Sequence, residues 1–187
     1  MIVAFSGKRG SGKDTAGDVL VNEFHFQKIA LADPMKRFVQ DLFGMTYDQL
    51  WGPSASRNAV DLRWNRSPRE LLQTLGTEWG RVMGHPDVWI QYLVRRAQFL
   101  LGSGAARGIV VTDIRYENEL HTLSSAGATV VRIVRPGIES TELDRHSSEV
   151  ALDGLPTNAF ACVLHNVGTK SSFEDQVREF ARMLPLP

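Results

Sequence analysis

The chain has 187 residues, 43% of them hydrophobic and 22% charged, with 21 basic residues balanced by 21 acidic ones. Such a length and composition fit one globular domain with a sizeable core, and zero net charge excludes an overall basic nucleic-acid footprint. No apolar run approaches the roughly 18 residues of a membrane span, the N-terminus reads as strand and loop rather than signal peptide, and the lone Cys162 excludes an internal disulfide and most Cys-based metal sites. A reducing cytoplasm is the expected setting, with neither nucleic acid nor membrane as partner.

Residues 2–6 are apolar and read as a buried strand. Ser6-Gly7-Lys8-Arg9-Gly10-Ser11-Gly12-Lys13-Asp14-Thr15 comes next. Gly7 and Gly12, with four residues between them and Lys13 following, make a phosphate-binding loop of the Walker A kind. Its glycines let the backbone curl so that several N–H groups face one concavity. The helix that follows, with Ala16, Val19, Leu20 and Phe24 on one face, adds its positive N-terminal end. Lys13 then reaches the outer phosphates, and a hydroxyl holds Mg²⁺. One position departs from the usual motif. Asp14 stands where Ser or Thr is expected, and the hydroxyl comes one place later, at Thr15.

Residues 26–31 read as a second short strand, and Asp33 as N-cap of a helix with Pro34 in its first position. Met35, Phe38, Val39, Leu42 and Phe43 form its apolar stripe, and Lys36 falls off that stripe. Asp33 suits a cap, a site role, or both, because helix N-termini near strand ends face the ligand crevice of open α/β sheets. Residues 44–66 read as a loop-rich excursion with one short helix around Tyr47, Leu50 and Trp51, and with Arg57, Arg63 and Arg66 either in solvent or touching a phosphate. Ser67-Pro68-Arg69-Glu70 is a capping box opening the next helix. Its expected core stripe is Leu71, Leu72, Leu75, Trp79, Val82 and Met83, while Arg69, Gln73, Gly76, Thr77 and Gly80 run down another face. Two glycines inside a helix cost about 1 kcal/mol each relative to alanine. Either another element packs closely there, or a ligand approaches the backbone with Arg69, Gln73 and Thr77 as polar contacts. A further helix follows His85-Pro86-Asp87. Trp79 and Trp89 are large enough to flank a planar base, with core packing as the simpler role of each.

Residues 108–113 form a buried strand ending in Asp113, the Walker B shape, whose carboxylate holds Mg²⁺ partly through water. Arg115, two residues on, points toward a phosphate or pairs with Glu117 or Glu119. Residues 129–134 make the next strand, and the polar stretch 137–157 is either a lid or an ordinary surface loop. His146 in that stretch is not needed as a base. Residues 159–164 are the last strand, followed by the turn Asn166-Val167-Gly168-Thr169, a second capping box at Ser171–Glu174 and a final helix. Strand–helix alternation throughout implies an α/β fold of P-loop NTPase type: a parallel sheet of about five strands with helices on both faces.

Taken in order, five motifs resemble the bacteriophage-type deoxynucleoside monophosphate kinases, within the P-loop nucleoside monophosphate kinase group. They are the loop 6–15, Ala32-Asp33-Pro34-Met35-Lys36, Arg69 through Gln73 with Gly76-Thr77-Glu78, Val111-Thr112-Asp113-Ile114-Arg115 with Asn118-Glu119, and Asn166 through Thr169. The resemblance implies ATP as donor, a deoxynucleoside 5′-monophosphate as acceptor, Mg²⁺, and the host cytoplasm if the chain is viral. It implies a core of 1–32, 105–135 and 158–187, a helical monophosphate-binding insertion over 33–104 and a small lid-like segment over 136–150. Lys13, Arg115 and Asp113 would be catalytic. ATP would meet Gly10, Ser11, Gly12, Lys13, Asp14, Thr15, Asn166, Gly168 and Thr169, with the Asn166 turn beside the adenine. The monophosphate would meet Asp33, Lys36, Arg69, Gln73, Thr77 and Trp89, and Thr15 with Asp113 would hold the metal. A phosphate-ester acceptor is already anionic near neutrality. It needs cations rather than a base, and Lys13, Lys36, Arg69, Arg81, Arg115, Arg132 and Arg135 supply them. Two alternatives stay open at this level: a phosphomevalonate kinase-like enzyme, whose loop and acid–x–Arg strand end are similar, and an ATP-binding switch module. The oligomeric state is also open, with a homodimer as one option.

Overall fold

Five parallel strands make one sheet in the order β2-β3-β1-β4-β5, in a computed structural model that describes residues 1–137, 152 and 154–185. These strands are β1 (Ile2–Ser6), β2 (Gln27–Lys28), β3 (Ile109–Val111), β4 (Thr129–Val134) and β5 (Cys162–His165). Central β1 pairs with β3 through Ile2↔Ile109 and Ala4↔Val111, and with β4 through Val3↔Thr129 and Ser6↔Arg132. A strand buried on both faces reads as an unbroken apolar run, which is why β1 and β3 carry no alternation. Val3, Phe5, Val110, Val131 and Ile133 meet the helices α1 (Lys13–Phe24) and α8 (Lys170–Met183). Phe5 and Phe180 touch edge to face, with centroids 6.3 Å apart. The alternate residues Ile2, Ala4, Ile109, Val111 and Val130 point the other way and are equally buried, so both faces are covered.

Edge strand β2 is shorter than the expected 26–31. Gln27 and Lys28 pair only with β3, and both are exposed. At the other edge, residues 157–159 form a 3₁₀ turn, so β5 starts three residues later than its apolar run suggested. Helix α7 (Glu117–Ser125) leads into β4, and the last helix is capped not at Ser171 but at Thr169, whose hydroxyl accepts the Ser172 N–H at 3.1 Å.

The chain divides into two compact units, residues 1–30 with 90–187 and residues 31–89. The second boundary falls earlier than the expected 104: helix α6 (Val88–Gly102) goes with the sheet unit from Ile90 onward. Of the expected lid 136–150, Pro136 and Gly137 are described; the rest, with His146, lies outside the described residues.

The 31–89 unit holds α2 (Asp33–Phe43), α3 (Tyr47–Trp51), α4 (Ser54–Asn58) and α5 (Pro68–Gln73), so the excursion 44–66 contains two short helices rather than one. Its small core is Val39, Met45 and Leu50, with Leu71, Leu72 and Leu75 packed around them. Helix α2 begins at Asp33 itself, one residue inside the helix, so Asp33 is not the N-cap: Ala32 is. The Ser67 capping box forms as expected, Ser67 accepting from Glu70 N and Glu70 from Ser67 N at 2.7 Å.

Beyond Gln73 the helix changes type. Residues 74–84 form a π-helix, in which hydrogen bonds run i→i+5 and each turn takes more residues than the 3.6 of an α-helix. The 3.6 period therefore loses its hold, and the expected core residues Trp79, Val82 and Met83 are 55%, 76% and 78% exposed. The buried positions are the two glycines. A Cβ at Gly76 would stand 2.8 Å from Met35 Sδ, and one at Gly80 2.5 Å from Trp89 Cζ2. Trp89 Nε1 also donates to the Gly76 carbonyl at 2.8 Å. Close packing by Met35 and Trp89 is thus what the glycines admit.

Candidate active site

The loop after β1 curls because its glycines adopt conformations closed to other residues. Gly12 has φ +110°, and a Cβ there would sit 2.8 Å from Asn166 Nδ2 and 2.9 Å from Phe173 Cε1. Gly7 has φ +148°, and its Cβ would stand 2.4 Å from the Ile133 carbonyl oxygen. The turn closes with Ser11 N donating to Lys8 O at 3.0 Å. Distant residues brace it. Asn166 Nδ2 donates to Ser11 O at 2.9 Å and Arg135 Nη1 to Gly10 O at 3.2 Å. Helix α1 starts at Lys13, so its unpaired N–H groups open onto the same loop.

Lys13 Nζ lies back on its own loop, donating to Gly7 O and to Lys8 O at 2.7 Å. Burial, and then the nearby Arg115 charge, push its pKa down to about 8, against smaller opposing pulls from Asp14 and Asp113. A buried ammonium beside a guanidinium is short of negative charge, and an anion would supply it. Ser11 Oγ is buried without a hydrogen-bond partner. Buried polar groups are rarely left so.

Two cavities open on this loop. One, of about 210 Å³, is lined by Lys8, Lys13, Arg115, Arg132 and Arg135 together with Ser6, Ser11 and apolar surface; no carboxylate lines it among the described residues. The other, of about 330 Å³, lies along Gly10, Gly12, Lys13, Asp14, Thr15, Asn166 and Gly168. Most of the residues expected to meet ATP are therefore brought together. Thr169 is the exception, since its hydroxyl caps α8. Lys8 was overlooked by sequence reasoning, although it lies inside the loop motif.

Asp113 and Arg115 follow β3 on one short connection. Glu119, 2% exposed, fixes that connection by accepting from Arg115 N at 2.7 Å and Tyr116 N at 3.0 Å. Thr15 lines the second cavity and carries a hydroxyl. A hydroxyl and a carboxylate are hard oxygen donors, and Mg²⁺ needs only one or two protein ligands beside phosphate and water. The donor set fits that ion. Among the described residues no three His, Cys, Asp or Glu side chains cluster as a metal cage.

The residues expected to meet the monophosphate all lie in the 31–89 unit. Asp33 and Lys36 are on α2, with Lys36 Nζ 5.3 Å from the Trp51 ring centroid. Arg69 and Gln73 are on α5, and Thr77 is exposed on the π-helix. Trp89 is set differently. Its indole is 8% exposed and covers the two glycines, so the partner expected of a base is occupied by backbone. Trp79, at 55% exposure, is the aromatic of the pair that keeps a face open.

Comparison with known proteins settles the family. The model of the deoxynucleotide monophosphate kinases matches residues 1–63 and 55–177. This chain belongs to that family. A putative deoxynucleotide monophosphate kinase of Acanthamoeba polyphaga mimivirus is 29% identical over 185 residues, covering 95% of this chain and 94% of the relative. The deoxynucleotide monophosphate kinase of Escherichia phage RB69 is 31% identical over 125 residues, 67% of this chain and 48% of that one. Among solved structures, shikimate kinase from Bacteroides thetaiotaomicron superposes with a TM-score of 0.54 over 100% of this chain and 99% of its own, at 13% identity, a likeness of fold. As a deoxynucleotide monophosphate kinase the chain is an enzyme that transfers a phosphoryl group from ATP to a deoxynucleoside 5′-monophosphate. Neither the phosphomevalonate kinase reading nor the switch reading has comparable support. No helix among the described residues is long and apolar enough to cross a membrane.

Proposed function

We propose that the cation-lined cavity beside Lys13 is where the phosphoryl group changes hands, with Lys13 and Arg115 touching it in transit. The carrying observation is that cavity's lining: among the described residues, five cations converge on it. Two anionic phosphates must approach one another, and the transferring group spreads negative charge over its oxygens. Fixed cations in a sheltered site offset both at no cost in reorganisation. No side chain has to remove a proton, because the acceptor's oxygen is already ionised near neutral pH.

The second cavity is assigned to the donor. Backbone N–H groups from Gly10 to Thr15 cradle its phosphates, and Asn166 and Gly168 line the side where the base would lie. Thr15 and Asp113 would hold a magnesium ion, which supplies Lewis-acid charge neutralisation when bound. Lys13, now bonded to loop carbonyls, would exchange those bonds for phosphate oxygens. On the acceptor side, Arg69 and Lys36 are assigned to the phosphate, Asp33, Gln73 and Thr77 to the sugar and base edge. The exposed Trp79 replaces Trp89 as the surface for the base, because the Trp89 indole is already covered.

Phosphate transfer from ATP to each common monophosphate, ribo and deoxy, tests the reading. Turnover of deoxynucleotides that disappears in Lys13→Ala while the variant stays folded is the expected result. Normal turnover in Lys13→Ala would overturn the site assignment. A Trp79→Ala variant should raise KM for the monophosphate and leave KM for ATP unchanged; an unchanged monophosphate KM would remove Trp79 from it.

A further inference from the structure

Asp14 stands where the loop motif ordinarily carries the metal-holding hydroxyl, and the structure gives it other partners. Its Oδ1 accepts from Lys28 Nζ at 2.9 Å and from Thr112 Oγ1 at 3.1 Å. Lys28 is the last residue of β2, and also reaches Asp18 Oδ1, one turn along α1, at 3.4 Å. Thr112 directly follows β3 and directly precedes Asp113. One carboxylate therefore ties the first turn of α1 to the ends of two strands.

The backbone is cut to allow this contact. Thr112 is buried, and a Cβ at Gly17 would stand 2.6 Å from its Cγ2. Only a glycine at that point of α1 lets Thr112 lie against the helix. Asp14 is flanked by Lys13 and Thr15, so whatever holds Asp14 also sets the start of the helix from which both project. Its carboxylate takes one charged donor, Lys28, and one neutral donor, the Thr112 hydroxyl. The paired charge is offset locally instead of repelling a triphosphate.

We propose that Asp14 is a positioning residue: through Lys28 and Thr112 it sets the spacing between Thr15 and Asp113, the two groups assigned to magnesium. The inference rests on the metal assignment made above for that site. Groups that orient metal ligands without touching the metal are known to change affinity or activity by about 10- to 100-fold. The Asp14–Lys28 pair is open to solvent, with the Asp14 side chain 80% exposed. Exposed pairs contribute little to stability. Loss of the tie should therefore disturb placement while sparing the fold.

Calorimetric titration of the full chain with ATP, in magnesium and in EDTA, decides the matter. Asp14→Asn and Thr112→Val should each weaken ATP binding about tenfold in magnesium. In EDTA Thr112→Val should bind ATP like the unaltered chain, with a matching melting temperature; for Asp14→Asn, which also lines the ATP cavity, the ratio of affinities in magnesium and in EDTA should fall about tenfold. The double variant should be no weaker than either single one, because both break the same tie. Unaltered binding in magnesium by Asp14→Asn or by Thr112→Val overturns the inference. Weakening by Asp14→Asn alone would also overturn it, by making Asp14 a direct metal ligand. An equal loss in EDTA overturns it too, as damage to the loop. Should the unaltered chain bind ATP equally well with and without magnesium, the metal assignment itself falls, which is a different failure from a metal-dependent chain with indifferent variants.

Discussion

The cations beside the phosphate-binding loop and Arg63 of the 31–89 unit are held in opposite ways. Beside the loop, Lys13 bonds to the carbonyls of Gly7 and Lys8, and Arg135 to that of Gly10. Carbonyl oxygens orient a cation without cancelling its charge. In the 31–89 unit, Arg63 is gripped by both oxygens of Asp61, which holds the Asp61 carboxyl well below its ordinary range. That ion pair is charge-neutral and serves to close the 61–66 turn, where Asp61 and Arg66 bridge. A cation seated on carbonyls is poised for an anion, and one seated on a carboxylate is part of the scaffold. Charge counting along the sequence treats Arg63 and Arg135 alike; their partners separate them.

The sharpest way to break this comparison is at Lys13. Lys13→Ala should lower kcat/KM by on the order of 10³-fold, the loss expected when one fixed donor to a developing charge is removed. Thermal stability should hold, because burial already disfavours the Lys13 charge. A variant that loses stability and activity together would make Lys13 scaffold, like Arg63.

The glycines offer a second contrast. Gly12→Ala forces a side chain into φ +110° and against Asn166 and Phe173, and Gly80→Ala forces one against the Trp89 ring. Each should cost about 1–3 kcal/mol in denaturant unfolding. Their kinetics should part company. Gly12→Ala should raise KM for ATP, and Gly80→Ala should raise KM for the monophosphate with ATP unchanged.

Acidity sharpens the account further. Lys13 titrates near 8 in the folded chain against an ordinary 10.5. Between those values the unfolded chain binds more protons, so stability of the nucleotide-free protein should rise with pH across that window. Phosphate favours the protonated ammonium. ATP affinity should therefore be full below about pH 8 and weaken above it, as calorimetry across pH 6.5–9.5 would register. An affinity flat through pH 8 would remove Lys13 from the phosphate's contacts.

The smallest expected effect is Ser67→Ala, which removes a capping-box hydroxyl in the 31–89 unit. It should cost about 1 kcal/mol in chemical unfolding and leave ATP binding untouched.

What the amino-acid order determined by itself was local. Glycines four residues apart with a following lysine and a Ser-Pro-Arg-Glu helix start each act over one turn of chain and formed as read, whereas the strand expected over 108–113 spans only Ile109–Val111 and leaves Asp113 on the connection beyond it. Periodicity failed at Phe38 and Leu42 of α2, which are exposed, and most where a later helix changed pitch. Gln73 ends α5, and the wider π-turns rotate Trp79, Val82 and Met83 outward while Gly76 and Gly80 turn in beneath Met35 and Trp89. The remaining decisions needed contacts between residues far apart in the chain. Asn166 braces Ser11 across 155 positions, and Thr112 meets Asp14 across 98. No spacing rule reaches that far, because the sheet order that brings those segments together is a property of packing, and the partner that decides whether a charge is offered or cancelled exists only once the chain has folded.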